Sequence, residues 1–508
     1  MVRRVLLLIA PALFSIAAPG QTYYVSPAGA DTNAGSFGSP FKTIPKAISL
    51  AVPGTTIFVR GGTYPITSVI NIASSGTVAD TCKLLGYPGE RALIDASSMP
   101  VGGSNRGISL TGSYWYLRGL DIVRAGDNGM RITGSHNVIE HCSFSGNSDT
   151  GLQLDNGASF NRIVNCDSYG NADPLQRNAD GFAPKLGVGT GNAFSGCRAW
   201  QNSDDGWDGY LRGANDVTTT IDNCWCFQNG YLSNGTPSNG NGNGFKLGGS
   251  DSVDLAHNMM LTRCLAFDNR VKGFDQNNNR GSMTLLNCTA YRNGTNYSLA
   301  QTVNASKSIT LSNCAALGTH GILAAFSVQT TNSWNPPFAV TGADFESIDT
   351  AGVRGARKPD GSLPDVGFMH LAPGSDLIDG GTDVGLSFYG AAPDLGSFES
   401  EIPDAAAGGE MPPGSYALSQ NYPNPFNLRT VIRYEVARPS HVRIALFDLL
   451  GREVAVLLDE RGEAGRHEVR FHAAGLASGM YFYRLESRPL DGTQTGEFVK
   501  VRTLLLLK

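Results

Sequence analysis

The sequence predicts an all-β solenoid, in which short coils of chain stack on one another, followed by a small β-sandwich. Three observations predict the solenoid. One residue pattern recurs about every 24 residues over the middle of the chain. Short β-rich runs alternate with Gly, Asn and Asp, and no helix-length periodic stretch separates them. The 63 glycines and the low fraction of charged residues, 16%, suit a chain rich in strands and turns.

The N-terminus predicts export. Arg3 and Arg4 precede an apolar run at 5–13, and small residues follow up to Gly20, which is the pattern of a signal peptide occupying residues 1–20. The apolar run is shorter than the about 20 residues that cross a bilayer. The amphipathic segment 43–51 then predicts a short helix that caps the open end of the solenoid.

The repeat unit combines a cysteine, an aromatic residue two or three positions later and an asparagine five positions after the cysteine. Cys314 opens a weaker copy, and the full copies span 142–147, 166–171, 197–202, 224–229, 264–269 and 288–293. Equivalent positions of stacked strands lie about 4.8 Å apart, so the asparagines should form a hydrogen-bonded ladder. We expect the cysteines and aromatic residues to stack inside as a core rather than to form a disulfide framework, although a bond involving Cys82 or Cys226 stays open.

Acidic residues and one lysine fall together when the coils are aligned on a repeated glycine. Asp180 and the pair Asp204 and Asp205 directly precede that glycine in successive coils, Asp208 lies two residues after it, and Lys246 takes the Asp208 position one coil later. Carboxylates at one sheet edge repel one another unless a cation neutralises them, and Ca²⁺ takes 6–8 oxygen ligands. The pattern therefore predicts a calcium site, although any one aspartate could be a turn residue.

A cation and a lysine together indicate β-elimination on a uronate polymer. The C5 proton of a uronate lies α to a carboxylate, and a neutral lysine in a solvent-filled groove could remove it. We expect Lys246 to be this base. Other basic residues could bind neighbouring substrate carboxylates or simply be solvated: Lys185, Arg270, Lys272 and Arg280. The Gly- and Asn-rich insert 233–243 predicts either a mobile loop over the cleft or a plain surface loop.

These residues resemble polysaccharide lyase family 9. The resemblance covers roughly residues 22–400, and its motifs lie at 180–183, 202–208, 242–249, 379–381 and 392–396. It implies a right-handed parallel β-helix of about ten coils and the activity of a pectate lyase on polygalacturonate. It also implies that Asp180, Asp204, Asp205 and Asp208 hold Ca²⁺ and that Lys246 is the Brønsted base. We therefore assign residues 21–400 to a lyase domain.

The C-terminal part of the sequence predicts a linker and a separate domain. Residues 401–415 are rich in Ala, Gly and Pro and indicate a linker. Alternating runs at 431–436, 442–447, 453–458, 467–471 and 479–485 then predict a β-sandwich over 416–508. The motifs at 421–427, 446–452 and 478–481 resemble the type A sorting domain of the type IX secretion system. This resemblance implies secretion to the medium or surface of a Gram-negative bacterium, with the secretion machinery as a partner; the alternative is a carbohydrate-binding sandwich.

Two other functions stay open. A polygalacturonase-like hydrolase would use an aspartate pair without a metal, and a glycan-binding adhesin would need neither the aspartates nor Lys246. The net charge of −5 gives no indication of the basic surface that binds nucleic acid. We expect a monomer.

Overall fold

The computed structural model describes residues 20–251 and 254–400 and, in the tail, 416–421, 424, 426, 428–448, 451–473, 475–477, 479–490 and 498–506. The chain divides into two compact units, Met1–Glu401 and Ile402–Lys508. Apart from Gly20, the predicted signal peptide lies outside the described residues, as does the whole predicted linker 401–415. In the described part of the chain, no helix is long and apolar enough to cross a membrane.

Three long parallel sheets wind into a right-handed β-helix, which confirms the predicted fold. Sheet I contains Thr22–Val25, Thr56–Val59, Cys82–Gly86, Trp115–Arg118, Val138–Glu140, Arg162–Val164, Asn192–Ser195, Val217–Asp222, His257–Thr262, Met283–Leu286, Ile309–Ser312 and Val328–Thr330. Sheet II contains Ile70–Ile72, Ile108–Leu110, Met130–Ile132, Leu152–Leu154, Phe182–Pro184, Trp207–Asp208, Phe245–Lys246, Lys272–Asp275, Thr295–Leu299 and Gly321–Leu323. Sheet III contains Gly62–Pro65, Ala92–Asp95, Leu120–Val123, Ser143–Ser145, Asp167–Tyr169, Arg198–Trp200, Trp225–Phe227, Leu265–Phe267, Thr289–Tyr291 and Ala315–Leu317. Each complete coil passes through sheets I, III and II in that order.

The predicted asparagine ladder runs along the turn between sheets III and II. The side-chain NH₂ group of each asparagine donates to the side-chain oxygen of the next, at 2.9 Å from Asn147 to Asn171 and at 3.0 Å from Asn229 to Asn269. A second ladder, which the sequence analysis missed, joins Asn137, Asn161 and Asn192 at the turn between sheets II and I. Because these amides are buried, the ladders satisfy polar groups that would otherwise destabilise the turns.

The cysteines are buried and free, as the repeat predicted, and neither Cys82 nor Cys226 forms a disulfide. The expectation for the aromatic residues was wrong for all but Phe144. Phe144 is the second residue of its strand and points inward, opposite Ser168 of the next coil, whereas Tyr169 is the third residue of its strand and points outward. The face changes because the aromatic residue follows the cysteine by three positions rather than two, and side chains alternate along a strand.

The outward aromatic rings form a second core on the outer face of sheet III. Tyr169 stacks on Trp200 with ring centroids 4.3 Å apart, and Phe227 stacks on Phe267 at 4.7 Å. The segment that follows the last coil covers them and contributes Phe345, Phe368 and Leu395. This segment includes a short 3₁₀ helix, Gly342–Asp344. The Pro- and Gly-rich stretch after residue 330 therefore packs along the outside of the β-helix.

A short α-helix covers the N-terminal end of the β-helix core, as the sequence predicted. The helix Ile44–Ile48 begins after Thr43, whose hydroxyl accepts a hydrogen bond from the Lys46 amide at 3.3 Å. It buries Ile44, Ala47 and Ile48 against the first coils. The apolar end of the solenoid is thereby kept from water.

The tail unit consists of two antiparallel sheets, as the alternating runs predicted. The smaller sheet contains Ala417–Leu418, Arg429–Val436 and Gly465–His472. The larger sheet contains Glu453–Gly462, Ser440–Phe447, Gly479–Pro489 and Phe498–Leu506. All five predicted runs lie within strands, and the sequence analysis missed two described strands, Ala417–Leu418 and Phe498–Leu506. Ile432, Ile444 and Tyr483 are among the buried residues of the core that belongs to this unit alone.

Candidate active site

The outer face of sheet II carries a column of polar residues in register. Phe182, Trp207 and Phe245 point inward and stack in the core. Because side chains alternate along a strand, the next residue of each strand points outward. The strand pairing thus stacks Lys246 directly on Asp208, and Asp275 on Lys246. The column continues in earlier coils through Arg131 and Gln153.

Three carboxylates meet where the chain enters sheet II. Asp180, Asp204 and Asp205 each offer an oxygen atom, and these atoms lie within 4.8 Å of one another. The backbone amide of Asp205 donates to Asp180 Oδ1 at 3.1 Å, so the two residues are neighbours in adjacent coils. Asp208 lies beside them and contacts the two lysines described next. The structure therefore brings together all four aspartates that the glycine alignment singled out.

Two lysine ammonium groups lie among these carboxylates. Lys246 Nζ is 3.0 Å from Asp205 Oδ2 and 3.3 Å from Asp208 Oδ1. Lys185, which directly follows the strand Phe182–Pro184, places its Nζ 2.6 Å from Asp180 Oδ2 and 3.4 Å from Asp208 Oδ2. Lys185 was predicted as a substrate contact, but it also neutralises the centre of the cluster.

The insert 233–243 is bound to the same carboxylates. The amide of Asn243 donates to Asp205 Oδ1 at 2.9 Å, and the amide of Asn241 donates to Asp204 Oδ1. Ser238 Oγ donates to the carbonyl oxygen of Ser203 at 2.6 Å. These hydrogen bonds fix the C-terminal half of the insert against the cluster, which a freely moving loop would not allow.

The cluster is buried. Lys246 is only 6% exposed, so the expectation that it faces a solvent-filled groove was wrong. Asp205 and Asp208 contact its ammonium group, and the ring of Tyr210 lies near it. Burial raises the pKa of Asp180 to about 7 and that of Asp204 to about 9. Burial lowers the pKa of Lys246, but the carboxylates of Asp205 and Asp208 outweigh it and hold that pKa well above its usual range.

The donor set fits a hard divalent cation. When all four carboxyl groups are ionised, they exceed the two ammonium groups by two negative charges. The raised pKa values of Asp180 and Asp204 reflect their burial and the cost of that excess without a cation. Asp205 Oδ2 is buried and accepts no hydrogen bond within the described residues; its contact with Lys246 is an ion pair. Carboxylate oxygens are the ligands that Ca²⁺ prefers. Asp180, Asp204, Asp205 and Asp208 are therefore suited to hold it.

The other predicted substrate contacts lie around the cluster rather than in it. Lys272 begins the next strand of sheet II and pairs with Asp275 at 2.9 Å. Arg270 lies in the turn before that strand and donates to the carbonyl oxygen of Gly240. Arg280 lies in the turn after it and donates to the carbonyl oxygen of Thr302 at 2.6 Å. All three residues therefore belong to the coil that follows Lys246: one lies before its sheet II strand, one begins the strand and one follows it.

The sequence analysis missed two groups on this face. Arg131 pairs with Asp155 at 2.9 Å, and Gln153 donates to the same carboxylate at 2.7 Å. Extending the glycine alignment back to Gly129 would have placed Arg131 in the Lys246 column. Tyr210, whose ring lies 5.6 Å from Lys246 Nζ, follows Asp208 by two residues and had no repeat signal.

Comparison with known sequences gives matches to both units. The profile described as "Pel9A-like, right handed beta helix region" matches residues 23–314. The profile described as "Secretion system C-terminal sorting domain" matches residues 420–496. The protein "Pectate lyase L" of Dickeya chrysanthemi is 40% identical over 394 residues, which cover 75% of this chain and 90% of that protein.

Comparison with solved structures points the same way. "Crystal structure of pectate lyase Pel9A" superposes with a TM-score of 0.70 and 37% identity, and the match covers 76% of this chain and 97% of that one. A structure titled "Rhamnogalacturonan lyase" gives a TM-score of 0.63 and 29% identity, with 70% and 98% of the two chains covered.

Proposed function

The chain belongs to the Pel9A-like β-helix family of pectate lyases, so it is a polysaccharide lyase, and it carries a C-terminal sorting domain. We propose that it cleaves polygalacturonate by β-elimination, with Lys246 as the base and Ca²⁺ as the cofactor, and leaves 4,5-unsaturated products. The proposal includes export through the predicted signal peptide and the type IX secretion machinery to the medium or the cell surface.

One observation carries this proposal: Lys246 stacks on Asp208 on the outer face of sheet II, beside three aspartates that meet where the chain enters the sheet. The hydrolase that the sequence left open has no use for a lysine in that place. A purely binding protein has no need for a buried cluster with uncompensated charge, which is costly to maintain.

Asp180, Asp204, Asp205 and Asp208 would hold the cation. When bound, Ca²⁺ would stabilise the negative charge that develops on the substrate carboxylate as the C5 proton leaves. Asp208 and Asp205 position Lys246 through contacts at 3.3 and 3.0 Å, and the ring of Tyr210 limits the access of water to it.

In the proposed reaction, Lys246 removes one proton from the substrate. Its Nζ takes the C5 proton, the electrons of that bond form the C4–C5 double bond, and the bond from C4 to the bridging oxygen breaks. The departing oxygen gains a proton from solvent. Lys246 must be neutral to begin, and the carboxylates that raise its pKa lose that influence once their charge is compensated.

The test is the appearance of the conjugated double bond, followed by its ultraviolet absorbance on polygalacturonate. We expect activity to disappear with EDTA and to return with added Ca²⁺. Chain cleavage without the absorbance would indicate a hydrolase, and binding without cleavage would indicate an adhesin. Full activity after exhaustive chelation would remove calcium from the mechanism.

A further inference from the structure

A polar cavity lies at the turns between sheets III and II, in the coil of Asp204 and the coils that follow it. Its volume is about 640 Å³, within the range of small-molecule sites. Its walls come from the residues beside the asparagine ladder, from the start of the insert and from the segment that covers sheet III. Among the lining residues are Gln228, Tyr231, Arg270, Arg292 and Arg354.

The cavity has more positive charge than its own residues compensate. Three arginines and one aspartate line it. Arg292 is neutralised by that aspartate, Asp268, whose two oxygens accept from it at 2.8 Å. Arg354 donates to the amide oxygen of Gln228, and no carboxylate of the described residues pairs with it. Arg270 Nε is buried and has no acceptor among the described residues.

Guanidinium groups that donate only to uncharged oxygen atoms are suited to bind an anion. Burying a guanidinium atom without an acceptor is unfavourable, as at Arg270 Nε. Arg354 is exposed, and the partial desolvation of its guanidinium lowers its pKa. A planar guanidinium binds a carboxylate through two parallel hydrogen bonds. Because the whole chain has a net charge of −5, a local excess of two positive charges is not a general property of this surface.

The insert connects the cavity to the aspartate cluster. Tyr231 lies just before the insert, and Gly235 lies in its first half; both line the cavity. Its second half binds Asp204 through Asn241. Arg270 donates to Gly240, the residue before Asn241. The cavity and the cluster therefore lie on two sides of one short segment.

We propose that this cavity is a second binding site for uronate carboxylates, apart from the aspartate cluster of sheet II, with Arg354 and Arg270 as the anion-binding residues. The identity of the ligand rests on the proposed function. Gln228 and Tyr231 are placed to bind sugar hydroxyls. A chain bound at both sites gains from a high effective concentration, so long substrates benefit more than short ones.

The experiment compares full-length wild type with Arg354→Gln and Arg270→Gln. Arg118→Gln is the matched control, since Arg118 lies on sheet I with a half-exposed side chain. Calorimetric titration with a galacturonate hexamer in EDTA, where the chain stays uncut, should give a Kd about tenfold higher for each cavity variant. The control should bind as wild type does, and a neutral galactose hexamer should bind to none of them.

Kinetics in Ca²⁺ give an independent measurement. The KM of Arg354→Gln for polygalacturonate should rise more than its KM for a trimer. If wild type cleaves polygalacturonate and both cavity variants bind the hexamer as tightly as it does, the second site is wrong while the proposed function stands. If wild type neither binds nor cleaves galacturonates, both fail. Melting curves establish that each variant is folded.

Discussion

Lys246 is the residue on which the proposed chemistry depends most directly. Lys246→Ala should reduce turnover by about 100-fold or more, which is typical of losing a general base. Lys246→Arg should be almost as damaging, because a guanidinium stays protonated while it can still pair with Asp205 and Asp208. Initial rates across neutral and alkaline pH measure both effects.

Lys83→Ala is the control, since Lys83 is exposed on sheet I. Near-normal rates for Lys246→Arg would contradict its role as the base. Lys185 would then be the next candidate, because its Nζ lies 3.4 Å from Asp208.

His257 provides a pH-dependent contribution to folding. Its Nδ1 donates to the carbonyl oxygen of Gly209 at 2.8 Å, so in the neutral ring Nε2 accepts from Thr219 at 2.8 Å. Burial lowers its pKa to about 4. The unfolded chain therefore binds more protons than the folded chain between its usual pKa and pH 4, and stability is lost as pH falls through that window.

The expected loss from His257 alone is about 3 kcal/mol between pH 7 and pH 4. His257→Gln removes this term, so the stability advantage of wild type over the variant should shrink as the pH is lowered. Urea unfolding at several pH values measures it. An advantage that stays constant with pH would show that His257 does not titrate in this window.

At the scale of one element, the asparagine ladder should be costly to interrupt. Asn171 is fully buried, donates to Asn202 at 2.9 Å and accepts from Asn147 at 2.9 Å. Asn171→Ala leaves several of these groups unpaired, so we expect a loss of about 2–4 kcal/mol. Asn71→Ala, at an exposed position in the first strand of sheet II, should change stability little. Equal losses for the two variants in urea unfolding would argue against a stabilising ladder.

The sequence was informative wherever a contact joins equivalent positions of neighbouring coils. A fixed spacing of cysteine and asparagine was enough to predict the ladder and the buried thiols. The prediction was wrong for most aromatic residues. Tyr169 and Trp200 follow their cysteines by three positions rather than two, which moves them to the outer face. What covers them there is a segment more than 100 residues later, and no repeat signal relates the two.

For the candidate site too, the sequence predicted contacts between equivalent repeat positions and missed contacts made by the insert. Alignment on the repeated glycine placed Lys246 against Asp208, because stacking converts a shared repeat position into a spatial contact. It could not reveal that the insert is bound to Asp205, since that contact depends on the backbone amide of Asn243. The second asparagine ladder lacked the neighbouring cysteine that made the first one visible.

For the whole molecule, the two units should be separable. Each unit has its own buried core, with Phe245 in one and Ile432 in the other. A chain ending at residue 405 should therefore keep its activity on polygalacturonate in vitro, because every proposed catalytic residue precedes that point. Specific activity and melting temperature of the shortened chain measure this. A folded but inactive truncated chain would show that the tail contributes to catalysis.

The stacked thiols have a consequence for the order in which this chain folds and meets oxidants. Disulfides form in the compartments that an exported protein crosses, and the reacting species is the thiolate. Burial raises the pKa of Cys166, Cys224 and Cys288 well above the usual range, so the stacked coils keep these thiols protonated and out of reach. An extended chain has no such protection, and neighbouring thiols that pair would bring together coils that must be stacked instead. Closure of the β-helix therefore shields the nine cysteines, all of them buried and free, from oxidants.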